Sequence, residues 1–443
     1  MSNCVQRMLQ KILLLFLPII FIQHATAQHK ENILHQLNDL LINTVMDDLF
    51  TPPVCSRIYS YPNIAFYECI RFDEPSRQAL SGKLNGLKKL PTPLKGNNNF
   101  ISACIAFSFV AQNFVGSEYK VEEWRRWFVD SIQNTVNPEE YKIAYDHGKR
   151  IADSIIAWSK NDSYLKSRGM MRFTASEKDG TWQPTPNDYA PGLEPNWNVL
   201  RPMIMRSPSQ FSPAEKLKYS PSKQSVFYKN VMEVYNIAKK NDSSKIKIAW
   251  YWDDNPNISV IEGHLTYFVH KISPGGHWIK IAGQACKQKN IPLVKAAQAY
   301  ALTSIAIFEA FIACWDEKYK TNLIRPITVI NNHIDADWRP LIQTPPFPEF
   351  TSGHSVTSNA AAAVLTVLLG DNFSFTDETE IPFGHKPKTF ASFNEAAKES
   401  SMSRVYGGIH YPETARISII QGQRIGKYVI QTLNNTASTK PTP

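Results

Sequence analysis

Cysteine is scarce in this chain of 443 residues, which contains only six. Their spacings match no metal site, and no zinc-site or calcium-loop pattern occurs elsewhere. Basic residues form no continuous run, and no RNA-binding signature is present. We therefore expect no nucleic acid as a partner. We expect the cysteines to be buried free thiols, with one or two disulfides as the alternative; beyond the N-terminal segment they are Cys55, Cys69, Cys104, Cys286 and Cys314.

Long apolar runs are also few, and beyond the N-terminal segment we find none that predicts a membrane-spanning helix. At the N-terminus, Arg7 and Lys11 precede an apolar run from Ile12 to Ile22, and Ala25-Thr26-Ala27 fits a cleavage site. Residues 1–27 are therefore predicted to be a signal peptide. We expect the mature protein to be periplasmic or secreted, with no transmembrane anchor.

The sequence lacks an internal repeat, and it lacks alternating polar and apolar runs long enough to indicate a sheet. Hydrophobic residues make up 43% of the chain and aromatic residues 12%, which supports a sizeable core. The formal net charge of +9 suits a small anionic substrate, although ordinary surface charge explains it equally well. Helical apolar spacing predicts helices at 31–50, 100–115, 121–136, 139–158, 225–240, 256–271, 293–315, 353–369 and 414–433.

A stretch rich in Pro, Trp and Asn, residues 182–221, interrupts this helical pattern and cannot be one continuous helix. We therefore predict an all-α fold of two packed helical bundles with a long irregular connection, which could cover the mouth of an active site. The predicted divisions are an N-terminal helical domain at 28–180, an irregular connecting or lid region at 181–224, a C-terminal catalytic helical bundle at 225–434 and a disordered tail at 435–443.

Three short motifs in the last third of the chain carry groups suited to an oxyanion. Lys318 precedes Arg325-Pro326, Ser352-Gly353-His354 follows, and Ser403-Arg404 precedes His410. Guanidinium groups match the oxygens of phosphate-like anions in bidentate fashion, and lysine adds a point charge. Imidazole can act as a nucleophile or as a general acid or base. The motifs therefore predict a site that holds a tetrahedral oxyanion and acts on it.

The predicted helices place these motifs at helix ends. Lys318 falls near the end of one helix and Arg325 in the turn that follows. Ser352-Gly353 stands at the start of an Ala-rich helix, where free N–H groups and the positive end of the dipole favour an anion. Gly353 would let the backbone approach that anion closely.

The motifs and their surroundings, CWDEKYKTNLIRP, WRPLIQTPPFPEFTSGHS and SRVYGGIHY, resemble the superfamily of type-2 phosphatidic acid phosphatases and vanadium-dependent haloperoxidases, in particular its bacterial haloperoxidase-like branch. The resemblance covers the last third of the chain, with weaker likeness upstream. It implies that His410 ligates vanadate in a peroxidase or forms a phosphohistidine in a phosphatase, and that His354 is the second catalytic imidazole. It also implies that the anion is bound by Lys318, Arg325, Ser352, Gly353 and Arg404.

Two positions depart from the pattern of these relatives. Thr351 stands where Pro is usual, and Thr414 stands where Asp is usual, four residues after His410. Because an Asp would orient the imidazole and stabilise its charged form, we predict that His410 lacks a charged partner and that Thr414→Asp restores one. Glu413 would substitute only if the chain bends at Pro412.

Upstream of the motifs, the segment Pro274-Gly275-Gly276-His277-Trp278 could line the site, and Trp182 and Trp197 could line a lid. We favour packing as the role of these residues.

Three functions are compatible with this sequence. The first is an exported vanadium-dependent haloperoxidase-like enzyme that uses halide and hydrogen peroxide, and the large helical N-terminal half favours it. The second is an acid phosphatase that cleaves a phosphate ester through a phosphohistidine and needs no cofactor. The third is an oxyanion-binding protein with weak or no catalysis, which Thr414 suggests. The sequence does not identify the halide, the ester or the oligomeric state.

Overall fold

The structure is a computed structural model that describes residues 30–133, 135–256, 258–262 and 265–434. The predicted signal peptide and the predicted tail lie outside the described residues. Within them the chain folds into fourteen α-helices and two short antiparallel hairpins, which confirms the all-α class. The helices are α1 (30–47), α2 (Pro52–Ile70), α3 (Asn99–Gln112), α4 (Glu118–Ile132), α5 (Pro138–Ser159), α6 (Tyr164–Arg168), α7 (Val226–Lys240), α8 (Ser243–Tyr251), α9 (Pro274–Gln288), α10 (Leu293–Thr321), α11 (Pro326–His333), α12 (Gly353–Leu369), α13 (Phe393–Tyr406) and α14 (Pro412–Leu433).

The predicted helix at 256–271 is wrong. This segment instead forms a hairpin of β1 (Ile258–Glu262) and β2 (Leu265–Val269), with Ile258 opposite Val269. Both strands are rich in β-branched and aromatic residue types, which favour an extended backbone over a helix. A second hairpin pairs β3 (Phe375–Asp377) with β4 (Lys388–Phe390). The predictions also missed five helices of eight residues or more, namely α2, α8, α9, α11 and α13.

The central element of the core is α10. Every residue from Leu293 to Lys318 is buried apart from Lys295. By length and composition this helix could cross a membrane, so the expectation that no segment reaches such a length is wrong. The whole of its apolar window is nevertheless buried inside the protein, where the helix packs against α2, α9, α12 and α14. The surrounding apolar cluster extends from Ile33 to Leu433, so the two predicted bundles share one core.

Close packing of α12 and α14 fixes the relative position of the second and third motifs. A Cβ atom at Gly422 would collide with the backbone oxygen of Val356, and one at Gly426 would collide with that of Ala360. The two glycines therefore let α14 lie directly against the backbone of α12. Together with the hydrogen bond from the Ser352 N–H to Ser418 Oγ, this contact holds the start of α12 against the middle of α14.

The residues between α6 and α7 are irregular, with short 3-10 helices at Trp197–Val199 and Pro208–Phe211. Trp182 and Trp197 are buried within this region, which supports packing as their role. Leu193 is held by a hydrogen bond from its N–H to the Pro346 oxygen at 2.9 Å, and its side chain lines the cavity described below. Cys55, Cys69, Cys104, Cys286 and Cys314 are all free and buried, as expected.

Candidate active site

A cavity lies where the ends of α10, α12, α13 and α14 converge. Its polar lining includes Gly353, His354, Arg404 and His410 from the predicted site. Most of the rest of the wall is apolar and includes proline and aromatic side chains. A few convergent polar groups in an apolar pocket are typical of a binding site. The apolar lining consists of Pro52, Leu193, Pro274, Phe311, Trp315, Pro345, Pro346, Phe347 and Ile409.

His410 stands two residues before α14 and is held at both ring nitrogens. Its Nδ1 lies 2.8 Å from Glu349 Oε1, and its Nε2 lies 3.3 Å from Nη1 of Arg325. A guanidinium can only donate, so Nε2 presents its lone pair to Arg325 and Nδ1 carries the proton that faces Glu349, whose own pKa is raised to about 7 by burial. Burial, followed by the neighbouring Arg325 and Lys318, holds the pKa of His410 well below its usual value. The ring is therefore a neutral imidazole whose Nε2 is available to bond to an electrophilic centre.

The predicted lack of a charged partner for His410 is wrong, because Glu349 supplies the carboxylate from a different part of the chain. Thr414 donates from Oγ1 to Glu349 Oε2 at 2.8 Å, and the Tyr411 N–H donates to Oε1 at 3.0 Å. Thr414 thus orients the carboxylate of Glu349, which takes the place of the Asp that is usual at position 414. Glu413 does not substitute, because its carboxylate pairs with Arg416 on the exposed side of α14.

This geometry reverses the prediction for Thr414→Asp. A carboxylate at position 414 would face Glu349, and two carboxylates in contact repel each other. We expect Thr414→Asp to lower turnover rather than raise it. We expect Glu349→Gln, which keeps the size of the side chain but removes its charge, to lower vanadate affinity or turnover by about 10–100-fold. Steady-state kinetics and equilibrium binding of both variants test this, and a gain of turnover in Thr414→Asp would contradict the assignment of Glu349.

His354 is the second residue of α12 and faces the cavity. Its Nε2 is buried and has no hydrogen-bond partner among the described residues, and it lies 3.9 Å from Oδ2 of Asp254. Burial, followed by the charges of Arg404 and His277, holds the pKa of His354 well below its usual value. The imidazole is therefore neutral and can take a proton when an anion nearby favours its charged form.

Three cations surround this pair of imidazoles. Arg325 donates from Nε to the Phe347 oxygen and from Nη1 to the Ile409 oxygen, both at 2.9 Å. Arg404 donates from Nη1 to the Trp252 oxygen at 2.6 Å. Two of their other nitrogens, Arg325 Nη2 and Arg404 Nε, are buried without a hydrogen-bond partner among the described residues. These backbone contacts fix each guanidinium in place while leaving donors free for a bound anion.

Lys318 is the third cation, and it lies in the last turn of α10. Its Nζ donates to the backbone oxygens of Pro348 and Glu349 at 2.9 and 3.1 Å. An ammonium has three donors, so one remains for an anion. The helix ends soon afterwards at Asn322, whose φ of 48° is left-handed. The chain then turns so that Arg325, the N-cap of α11, points back toward Lys318 and His410.

Lys318 gives the site a specific pH dependence. Burial lowers the pKa of its ammonium to about 7, and a bound oxyanion would raise that pKa again. Anion binding is therefore coupled to proton uptake above pH 7, and affinity should fall by about 10-fold per pH unit for the one proton involved. Vanadate titrations of the unmodified protein and of Lys318→Met between pH 6 and 9 measure this. The measured quantity is the slope of log affinity against pH in each protein. Titration of the anion itself affects both slopes equally, so their difference is due to Lys318, and equal slopes would contradict the prediction.

Ser352 and Gly353 form the start of α12, as predicted. Ser352 is the N-cap residue, and its Oγ accepts from Ser355 Oγ at 2.9 Å, which leaves its own hydroxyl proton free to donate. The Ser352 N–H is not available, because it donates to Ser418 Oγ at 2.9 Å. Gly353 lines the cavity beside Trp315, and a Cβ there would lie 3.5 Å from the indole. A larger residue would therefore take up room at the anion-binding end of the helix.

The residues present fit vanadate. Its oxygens need several donors and its central atom needs a nitrogen ligand, and the cluster offers guanidinium, ammonium and hydroxyl donors around the Nε2 atom of His410. The buried nitrogens without partners, Arg325 Nη2, Arg404 Nε and His354 Nε2, are what such an anion would satisfy. Buried polar groups in proteins are rarely left unpaired, so these nitrogens fit the oxygens of an oxyanion.

The structure brings all seven predicted site residues into one region, although their sequence positions span almost a hundred residues. It adds Glu349 and the pair Asp253 and Asp254, which the sequence analysis missed. Glu349 lies inside the motif text PPFPEFTSGHS, so its position next to the Ser-Gly-His motif was an available signal. No such signal marked Asp253, whose Oδ1 lies 3.6 Å from Nη2 of Arg404.

Fold and site together define an all-α protein in which two imidazoles, two guanidinium groups and an ammonium group lie close together. A family model described as the second helical-bundle domain of VCPO matches residues 298–439. Among solved structures, the chain is similar to the first bacterial vanadium-dependent iodoperoxidase, with 40% identity, a TM-score of 0.87 and coverage of 93% of this chain and 98% of that chain. This chain belongs to the vanadium haloperoxidase superfamily, as the motifs indicated.

More distant structures share the fold. The holo form of a bacterial vanadium-dependent chloroperoxidase is 15% identical, with a TM-score of 0.66 over 87% of this chain and 93% of that chain. The apo form of a bacterial vanadium-dependent chloroperoxidase is 16% identical, with a TM-score of 0.63 over 87% of this chain and 94% of that chain. A comparison with curated protein sequences gave no match.

Proposed function

We propose that this protein is a vanadium-dependent haloperoxidase that oxidises a halide with hydrogen peroxide. The observation that carries the proposal is the neutral, buried His410, whose Nε2 faces a cage of three cations while Glu349 holds its other nitrogen. Its relatives support a haloperoxidase-like activity, and similarity to an iodoperoxidase over nearly the full length of both chains supports iodide as the halide.

Each residue of the cage has a role in this proposal. His410 would bind vanadium through Nε2, and Lys318, Arg325 and Arg404 would neutralise the vanadate oxygens. The Ser352 hydroxyl would donate a further hydrogen bond. When bound, vanadate supplies the electrophilic centre that activates hydrogen peroxide toward a halide. Because these donors are already fixed by backbone contacts, they stabilise negative charge without reorganising.

In this proposal His354 transfers protons, and the apolar wall of the cavity limits access of water. The free Nε2 of His354 can accept a proton from incoming peroxide and return it to a departing oxygen, which is general acid–base catalysis. Asp254, 3.9 Å away, would stabilise the protonated ring. Trp315, Phe347 and Leu193 line the approach and limit the water that reaches the anion. Low polarity around the cage strengthens each charge interaction within it.

A paired assay tests the proposal. Purified protein is loaded with orthovanadate and assayed with hydrogen peroxide and iodide, bromide or chloride, and the vanadate-free protein is assayed for phosphate ester hydrolysis. We expect halide oxidation that depends on vanadate, and we expect phosphate to compete with vanadate for the same cage. Ester hydrolysis without halide oxidation would favour the phosphatase. Tight anion binding without turnover would favour an oxyanion-binding protein. That hypothesis was based on the absence of a carboxylate beside His410, and Glu349 supplies one.

We also propose that the protein is exported. The support is the pattern of Arg7, Lys11, the apolar run and Ala25-Thr26-Ala27. Expression of the full chain in a bacterial host should give a mature protein outside the cytoplasm that begins at Gln28. Mass spectrometry of the N-terminus measures this, and an unprocessed cytoplasmic chain would contradict it.

A further inference from the structure

A second cluster of buried polar side chains lies directly behind His354. It combines Asp254 from the loop after α8, His277 from the first turn of α9 and Glu380 from the turn after β3. One ligand atom from each residue lies within 4.8 Å of the other two. Nδ1 of His277 is 3.0 Å from Asp254 Oδ1 and 3.7 Å from Glu380 Oε1. These three residues, which we call the rear cluster, are all buried.

The ring of His277 is held in one orientation. Its Nε2 lies 2.7 Å from Asp377 Oδ2, and that same oxygen accepts from the Tyr251 hydroxyl at 2.9 Å. The ring also stacks on Trp252, with centroids 4.6 Å apart. His277 thus donates one N–H to a carboxylate and directs its other nitrogen toward Asp254 and Glu380. Metal-ligating histidines in proteins have this arrangement.

Two oxygens of the rear cluster have no hydrogen-bond partner among the described residues. They are Asp254 Oδ2 and Glu380 Oε1, in residues that are only 2% and 3% exposed. Leaving such atoms buried and unpaired is costly. A cation between the three residues would satisfy the Glu380 oxygen and leave Asp254 Oδ2 facing His354.

The buried carboxylates around the rear cluster also favour the binding of a cation. Asp253 pairs with Lys271 at 3.0 Å and lies close to Arg404. The other three carboxylates, those of Asp254, Asp377 and Glu380, have within ion-pair distance only histidines among the described cations. Buried carboxylates are normally paired with cations or bound to metals, whereas these three share only two histidines.

We propose that the rear cluster binds one divalent transition-metal cation of the Zn²⁺ type, through His277 Nδ1 and carboxylate oxygens of Asp254 and Glu380. One imidazole nitrogen and two carboxylate oxygens suit Zn²⁺, and a tetrahedral ion with bonds of about 2.1 Å separates its ligand atoms by about 3.4 Å. The two distances from Nδ1 bracket that value. The cation would replace the proton on Nδ1 and fix Asp254 beside His354. This site adjoins the vanadate cage through Asp254, which also lines the cavity, but the proposal does not depend on the proposed function.

Metal analysis of the whole protein tests the proposal. Protein produced in Zn²⁺-supplemented medium and dialysed against metal-free buffer should retain about one zinc per chain by elemental mass spectrometry. Glu380→Gln, which removes one ligand, should lose most of it. Asp377→Asn, which weakens the support of His277, should reduce affinity by about 10–100-fold. Glu378→Gln is the matched control, because Glu378 is exposed and only two residues away.

Co²⁺ gives a readout that does not involve activity. Visible absorption of the Co²⁺-loaded protein should show a single tetrahedral site in the unmodified protein and in Glu378→Gln, and not in Glu380→Gln. Circular dichroism establishes that each variant is folded, and Asp377→Asn provides a second test if Glu380→Gln is not. Stoichiometric metal retained by folded Glu380→Gln would overturn the proposal. So would a folded, unmodified protein that takes up neither Zn²⁺ nor Co²⁺, because His277 would then be an imidazolium paired with Asp254 and Asp377.

Discussion

His410→Ala is expected to reduce halide oxidation to the level of free vanadate in solution. Glu349 fixes the His410 ring through Nδ1 at 2.8 Å, so Nε2 is directed toward the three cations. Without it the cations can still attract an anion, but no group bonds to the central atom. We therefore expect weakened vanadate affinity together with loss of turnover.

The fold should survive this substitution. Glu349 keeps two of its contacts, the Tyr411 N–H at 3.0 Å and the Thr414 hydroxyl at 2.8 Å, so its carboxylate is not left without donors. Thermal unfolding of the variant provides the check. His333→Ala is the matched control, because His333 is exposed at the end of α11.

Addition of free imidazole gives a sharper test of the role of His410. The space left by the side chain opens into the cavity, so imidazole in solution could enter and supply the missing nitrogen. Partial recovery of turnover in His410→Ala, with none in Lys318→Met, would show that a nitrogen ligand is what the variant lacks. Full turnover in His410→Ala without imidazole would make the residue structural and the mechanism wrong.

His354→Ala is expected to separate binding from chemistry. Loss of a general acid–base group typically costs ~10²–10⁴-fold in turnover. Vanadate affinity should fall by much less than turnover, because Lys318, Arg325 and Arg404 still bind the oxygens of the anion. Comparison of kcat with the vanadate Kd in one preparation measures both effects.

The pH profile distinguishes catalysis by His354 from a structural role. In the anion-free protein burial holds the pKa of His354 well below its usual value, and a bound anion favours the charged ring and raises that pKa. Turnover of the vanadate-loaded protein should therefore contain a titration that is missing from His354→Ala. Equal loss of affinity and turnover, with an unchanged pH profile, would instead show that His354 only shapes the cavity.

The sequence determined the local parts of this site. The sequence placed α10, α12 and α14 close to their observed bounds, because residues such as Ala and Leu favour a helix within the segment itself. Ser352 at the start of α12 and Pro326 at the start of α11 are also local signals, since the cap and the first turn are made by neighbouring residues. The order of the three motifs was enough to indicate the superfamily.

Tertiary structure alone decided which groups meet. Glu349 reaches His410 across 61 residues. The expectation that His410 lacks a charged partner failed because this contact is made through space rather than along one helix. The α10 helix is apolar on nearly all sides because other helices cover it completely, which its sequence could not distinguish from a membrane span. The rear cluster comes from a loop, a helix and a hairpin turn, and its three residues lie too far apart in the sequence to form a recognisable motif. The helical period of apolar residues and the capping of helices depend on neighbouring residues. Charge pairing and burial depend on which distant segments the fold brings together.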